Sequence, residues 1–130
     1  MTPAKWYRPR IPLGLVWVAT EGDAPIGFAS TEPFEDALHL WELAVRIEAQ
    51  KRGAGRALVM AVIDDARARS LPAVTLTTFR DIAWNAPFYA RLGFVEVPWA
   101  EANPRLADLR AHEAALGLDV DKRCAMRLAL

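Results

Sequence analysis

An apolar run, Leu38–Val45, leads into Gln50-Lys51-Arg52-Gly53-Ala54-Gly55, and an amphipathic stretch over residues 56–69 follows at once. Few structures accommodate that order. The run reads as a strand, the glycines as a tight turn, and the amphipathic stretch as a helix. A strand, glycine turn and helix N-terminus form an anion cradle, because unpaired backbone N–H groups and the positive end of the helix dipole converge there. Gly53 and Gly55 remove side chains, so a pyrophosphate can approach the main chain closely. Lys51, Arg52 and Arg56 add positive charge. The spacing excludes two common phosphate binders. A P-loop needs Gly, four residues, then Gly-Lys-Ser/Thr, and a dinucleotide fingerprint needs a small residue where Leu58 stands. What fits is Gln/Arg-x-x-Gly-x-Gly/Ala directly after a strand. A plain strand-to-helix turn is the alternative these residues leave open.

A second segment, Asn85-Ala86-Pro87-Phe88-Tyr89-Ala90-Arg91-Leu92-Gly93-Phe94, reads as a short helix. Asn85 can cap its start, Pro87 suits its first turn and Gly93 can end it. A β-branched strand, Ala73–Phe79, separates the two segments. The first segment resembles the acyl-CoA pyrophosphate loop of GCN5-related N-acetyltransferases. The second resembles the later motif of the same family, in which a short helix carries Phe/Leu-Tyr and ends in Gly-Phe. Both occur in the family's order, and the resemblance covers about residues 13–130.

Periodicity gives the rest of the organisation. Residues 13–20 and 25–31 read as a hairpin turning at Glu21-Gly22-Asp23-Ala24, and residues 32–36 as a polar connection. Residues 37–46 read as a long strand and 54–69 as a helix, with Leu58, Val62 and Ile63 on one face. After Ala73–Phe79 come a short helix over 86–92, a strand over 94–97, a helix from Asn103-Pro104 to Leu116, and a strand over 123–130. This order predicts an α/β (α+β) fold: a mixed, mainly antiparallel central sheet flanked by helices. Residues 1–12, rich in proline and basic residues, read as an irregular arm, and 13–130 as a single acyl-CoA-binding domain. The family usually opens with a strand and two helices before the hairpin, and residues 1–12 are too short to replace them. Those helices commonly form one wall of the acceptor pocket. Sheet left bare by their loss favours a homodimer.

Bulk properties narrow the partners. The 130 residues suffice for one core, and a net charge of zero implies no nucleic acid or other polyanion. One cysteine, Cys124, excludes an internal disulfide and suits a reducing cytoplasm. No run is long enough to span a membrane and no secretory signal pattern is present, so the reading is a cytoplasmic protein with no membrane partner. No His/Cys/Asp cluster has metal-ligand spacing.

The resemblance implies a reaction. In this family an amine attacks the thioester carbonyl of bound acetyl-CoA with no acyl-enzyme, so no nucleophilic side chain is needed, and Cys124 reads as a small strand residue. The backbone of Leu43, Ala44 and Val45 is expected to hold the pantetheine arm beside Ala73–Phe79, one N–H polarising the carbonyl. Gln50, Lys51, Arg52, Gly53, Ala54, Gly55 and Arg56 are expected to bind the pyrophosphate. Asn85 is expected either to hydrogen-bond the pantetheine or to cap its helix. Tyr89 matches the family tyrosine near the cofactor sulfur and is the candidate general acid; a tyrosine packed through its ring is the alternative. His39 falls where some relatives carry a catalytic glutamate. With Glu42, expected on the opposite face of the strand, it is the candidate general base; a polar edge position is the alternative for His39, and many relatives rely on a water chain instead of a side-chain base. Glu42 also reads as a buried structural partner of an arginine or of backbone N–H groups. Trp41, Trp84 and Trp99 are candidate acceptor-side residues, and His112 reads as solvent-facing. The function implied is acetyl transfer to a primary amine, on a small molecule or a peptide. A non-catalytic acyl-CoA-binding or interaction module, and a domain binding some other phosphate compound, are the alternatives.

Overall fold

The computed structural model describes residues 2–7, 15–50, 53–83 and 85–130. Among them are the strands β1 (Thr2–Tyr7), β2 (Leu15–Glu21), β3 (Ala24–Pro33), β4 (Leu38–Val45), β5 (Ala73–Phe79), β6 (Val95–Val97) and β7 (Arg123–Ala129). The helices are α1 (Ala54–Ala68), α2 (Ala86–Arg91) and α3 (Pro104–Ala115). The fold is of the class expected, a mainly antiparallel mixed sheet with flanking helices. The chain divides into two compact units within β5, one running to Val74 and including Leu130, the other Thr75–Ala129.

In the first unit β1 to β4 form an antiparallel meander. Val18 lies opposite Phe28, and Phe28 opposite Ala44, so these three side chains share one sheet face. Gly27 lies opposite Val45 and Ala29 opposite Leu43 on the other face, where α1 packs. The buried stripe of α1 is Leu58, Val59, Val62, Ile63 and Ala66, the spacing of a helix with one apolar face. Burying each of the larger members contributes about 1.5–3 kcal/mol. Gly27 lets the layers close. A Cβ there would lie 2.7 Å from the Ala44 carbonyl oxygen and 3.3 Å from a Leu58 methyl.

Half of the arm expected over residues 1–12 is instead β1, pairing antiparallel with β2, Trp6 opposite Trp17. A strand therefore precedes the hairpin, as the family pattern has it, where the reading of residues 1–12 as an irregular arm expected none. Residues 8–14, which connect β1 to β2, lie outside the described residues. Pro3 hid the strand signal. The register shifts between Thr2 and Lys5, so proline, which cannot donate to a ladder, falls at an irregularity.

In the second unit β6 and β7 pair antiparallel, Val97 opposite Ala125. Leu76, Phe94, Leu106, Ala125 and Met126 supply its apolar core. Asn103 starts α3 by accepting a hydrogen bond from the Leu106 N–H at 2.9 Å. A polar network crosses this unit, and the periodic signal gave no hint of it. Glu113 of α3 is 6% exposed and accepts from Arg123 Nε at 2.9 Å and from the Thr77 hydroxyl at 2.7 Å. The Arg123 guanidinium also lies 4.8 Å from the Phe79 ring centre, and Arg105 donates to the Thr75 hydroxyl at 2.8 Å. Thr75, Thr77 and Phe79 alternate along β5 and share a face.

Removing one partner of a buried ion pair leaves the other uncompensated. Arg123→Leu is expected to lower stability by about 3–5 kcal/mol in urea unfolding. Glu113→Leu/Arg123→Leu together are expected to recover most of that loss.

Candidate active site

The first unit carries the loop between β4 and α1. After Val45 the chain is tied back by the Arg46 N–H donating to the Ile26 carbonyl at 2.8 Å. A 3-10 turn, Ile47–Ala49, follows, anchored by buried Ala49. The Gln50 side-chain amide donates to the Val45 carbonyl at 3.1 Å. Gln50 thus braces the loop against the strand end. Lys51 and Arg52 lie outside the described residues. Gly53 stands at the N-cap of α1 with φ +86°, in the left-handed region that glycine occupies without a Cβ clash. Ala54 is buried and seats the helix, while Gly53 and Arg56 are exposed.

The first turn of α1 has no acidic residue and no side-chain cap. Its first backbone acceptor, Gly53 O, is taken by the Ala57 N–H at 3.0 Å, and the N–H groups of Ala54, Gly55 and Arg56 precede any intrahelical partner. Among the described residues, no carboxylate and no side-chain cap neutralises the positive end of this 15-residue helix.

On β4, Leu43 and Val45 are half-buried and Ala44 is exposed. Ala44, Val45 and Arg46 line an open cleft of about 590 Å³ with Val18, Ile26 and Phe28. The cleft is mostly apolar, and the exposed Arg46 side chain lies 3.5 Å from Glu48.

The base candidates lie further back on β4, and here the structure corrects the reading from sequence. His39 lies opposite Glu32 and Glu42 opposite Ser30, with a register shift between Ser30 and Thr31 that leaves Trp41 as an extra residue. Ser30 and Glu32 are two apart and share a face, so the bulge brings His39 and Glu42 to one face as well. Three-residue spacing predicts opposite faces only in a regular strand. Glu42 is exposed rather than buried. His39 is 1% exposed and is covered edge-on by Trp41 at 4.5 Å and Phe34 at 6.5 Å between ring centres. Trp41 donates to Glu32 at 3.1 Å.

The second unit holds Tyr89 and Asn85. Tyr89 is 7% exposed, with Phe88 and Phe94 edge-on at 5.1 and 5.6 Å. Burial pushes its phenol well above the usual tyrosine range, so it carries its proton throughout the physiological range. Asn85 does not cap α2 with its side chain. Its Oδ1 accepts from the Thr78 hydroxyl at 2.8 Å, and the Tyr89 N–H is taken by its backbone carbonyl at 3.1 Å. Thr78 gave no sequence signal, because hydroxyls alternating along a strand look like ordinary β-propensity.

Trp84 lies outside the described residues. Trp99 is stacked by Arg110 at 5.3 Å, and His112 is exposed. Among the described residues no group of three or more His, Cys, Asp or Glu could hold a metal ion, and no helix is long and apolar enough to cross a membrane. Cys124 is 1% exposed, and burial, with the Glu96 carboxylate beside it, pushes its thiol up to about 11.

These features fit one family. The sequence model of the acetyltransferase (GNAT) family matches residues 2–94, and the chain belongs to that family. Its fold is that of a GNAT-family protein from Desulfovibrio desulfuricans, 26% identical, TM-score 0.65, covering 91% of this chain and 70% of that one. The ribosomal-protein-S18-alanine N-acetyltransferase from Escherichia coli is 22% identical with TM-score 0.69, covering 92% of this chain and 71% of that one. An N-acetyltransferase from Thermoplasma acidophilum in complex with coenzyme A is 15% identical with TM-score 0.66, covering 91% of this chain and 62% of that one. The chain thus spans about two thirds of the length of these structures.

Two outcomes follow from the geometry. Gly53→Ala places a Cβ in the left-handed region, and urea unfolding is expected to show a loss of about 1–2 kcal/mol. An unfolded thiol titrates near pH ~8.5, below the folded value of about 11. The stability carried by protonated Cys124 is intact below the unfolded value and is lost as pH rises towards 11. Wild type is therefore expected to lose more stability than Cys124→Ala between pH 8 and 11 in urea unfolding.

Proposed function

We propose that the chain moves an acetyl group from acetyl-CoA to a primary amine by direct attack, with no acyl-enzyme. The observation that carries this reading is the positive end of α1, set by Gly53 after the loop that follows β4 and free of any acidic residue in its first turn. That is the electrostatics a pyrophosphate needs. The backbone from Gln50 to Arg56 is the proposed pyrophosphate cradle, and the main chain of Leu43, Ala44 and Val45 the rail for the pantetheine arm. A coenzyme A complex of the Thermoplasma relative and the N-acetyltransferase identity of the Escherichia coli relative support it.

In the proposed reaction the amine nitrogen attacks the thioester carbonyl carbon and the carbon–sulfur bond breaks. The amine loses a proton and the departing thiolate gains one. Tyr89 is the proposed donor to the thiolate. Its buried phenol stays protonated, as a general acid must before it acts. Asn85 presents a side-chain amide for a pantetheine carbonyl. Glu42, exposed on β4, is the proposed base that takes the amine's proton through water, and His39 beneath Trp41 is the alternative.

Calorimetric titration with acetyl-CoA, and with ADP as control, tests the donor site. Binding that needs the acetyl-pantetheine arm is expected; binding equal to ADP would leave a generic phosphate cradle. With an amine that turns over, Tyr89→Phe is expected to lower kcat about 100-fold and to leave the acetyl-CoA dissociation constant within about twofold. Acetyl-CoA binding without turnover on any primary amine would make the chain a binding module.

A further inference from the structure

Helix α2 has only six residues, far fewer than a helix needs to persist by itself. Something must fix it at both ends if Tyr89 is to keep one position. At its end the Tyr89 carbonyl accepts from the Leu92 N–H at 3.0 Å and the Phe94 N–H at 3.1 Å. At its start no side chain caps the helix, and the side chain that could do so is turned away. Asn85 reaches instead to Thr78, which is 5% exposed, and the 2.8 Å bond between them ties α2 to β5. From Asn85 the connection continues to Tyr89 itself, whose N–H donates to the Asn85 carbonyl at 3.1 Å.

We propose that Thr78 is a positioning residue for acetyl transfer, acting through Asn85 to hold α2 and the Tyr89 phenol where a proton is delivered. The proposal rests on Tyr89 being the general acid. A hydroxyl is needed because, among the described residues, Thr78 alone bonds the Asn85 side chain, and Thr78→Val keeps the shape while deleting the bond. Valine also leaves Asn85 Oδ1 without its donor, so the start of α2 loosens where the end stays clamped. Proton transfer depends steeply on donor position, so a small displacement of the phenol lowers turnover without touching the pyrophosphate cradle.

The test compares wild type, Thr78→Val, Thr78→Ser, Tyr89→Phe and the double variant Thr78→Val/Tyr89→Phe. Thr78→Val is expected to lower kcat about tenfold. Thr78→Ser, which restores the hydroxyl, is expected to recover most of kcat. The double variant is expected to be no slower than Tyr89→Phe alone, because a positioning residue has nothing left to position. A kcat for Thr78→Val equal to wild type, or losses that multiply in the double variant, overturns the proposal.

A readout independent of turnover accompanies these. The chain has two tyrosines, so labelled tyrosine gives two ring signals by NMR, and Tyr89→Phe identifies one. That signal is expected to move in Thr78→Val and to return in Thr78→Ser. An unmoved signal overturns the proposal. If wild type turns over no amine, the acetyltransferase reading falls, and the ring signal still decides whether Thr78 places Tyr89.

Discussion

The conformation of one residue, Gly53 at φ +86°, governs the first unit. It turns the chain from β4 into α1 within a loop already closed by Gln50 on the Val45 carbonyl. A helix that starts there lies along the meander and buries Leu58, Val62 and Ile63 against it. The same turn leaves the first N–H groups of α1 without an intrahelical partner. The packing of α1 and the placing of the proposed pyrophosphate cradle thus share a single backbone angle. Gly27 is the counterpart in the sheet, since any side chain there would strike the Ala44 carbonyl and hold Leu58 off.

The second unit is organised around polar groups. Glu113 and Arg123 form a buried ion pair, and Thr77 bridges it, accepting from Arg123 and donating to the second Glu113 oxygen. Such a pair adds little net stability but penalises any arrangement of α3 that separates its members. The short helix α2 is fixed in a similar manner, by Thr78 and Asn85 ahead of it and by the turn into Phe94 behind it. Tyr89 sits between these two restraints with its phenol desolvated, which keeps the proton on the oxygen.

The β-bulge at Trp41 shows how a local irregularity rewrites a site. One extra residue in β4 brings His39 and Glu42 to the same face and opens Glu42 to solvent, while Trp41 and Phe34 close over His39. A reading from spacing assumes a regular pleat and therefore places Glu42 on the wrong face. No residue in the run Leu38–Val45 marks the bulge, because it arises from the register with β3. β1 was hidden for a related reason. Its proline argues against a strand, and pairing with β2 across a shifted register accommodates Pro3.

The sequence by itself determined the order of strands and helices from the hairpin onwards, the glycine turn and its family resemblance, and the apolar face of α1. These follow from patterns within a few residues: alternation, helical spacing and the left-handed tolerance of glycine. Residues 86–91 are helical as read, and Ala73–Phe79 is a strand as read. Tertiary structure alone decided which side chains meet. Thr78 and Asn85 are seven residues apart, Glu113 and Thr77 thirty-six, and neither pairing leaves a local periodic trace. Hydrogen bonds of that kind depend on packing, which selects one rotamer from several equally compatible with the strand or helix that carries it.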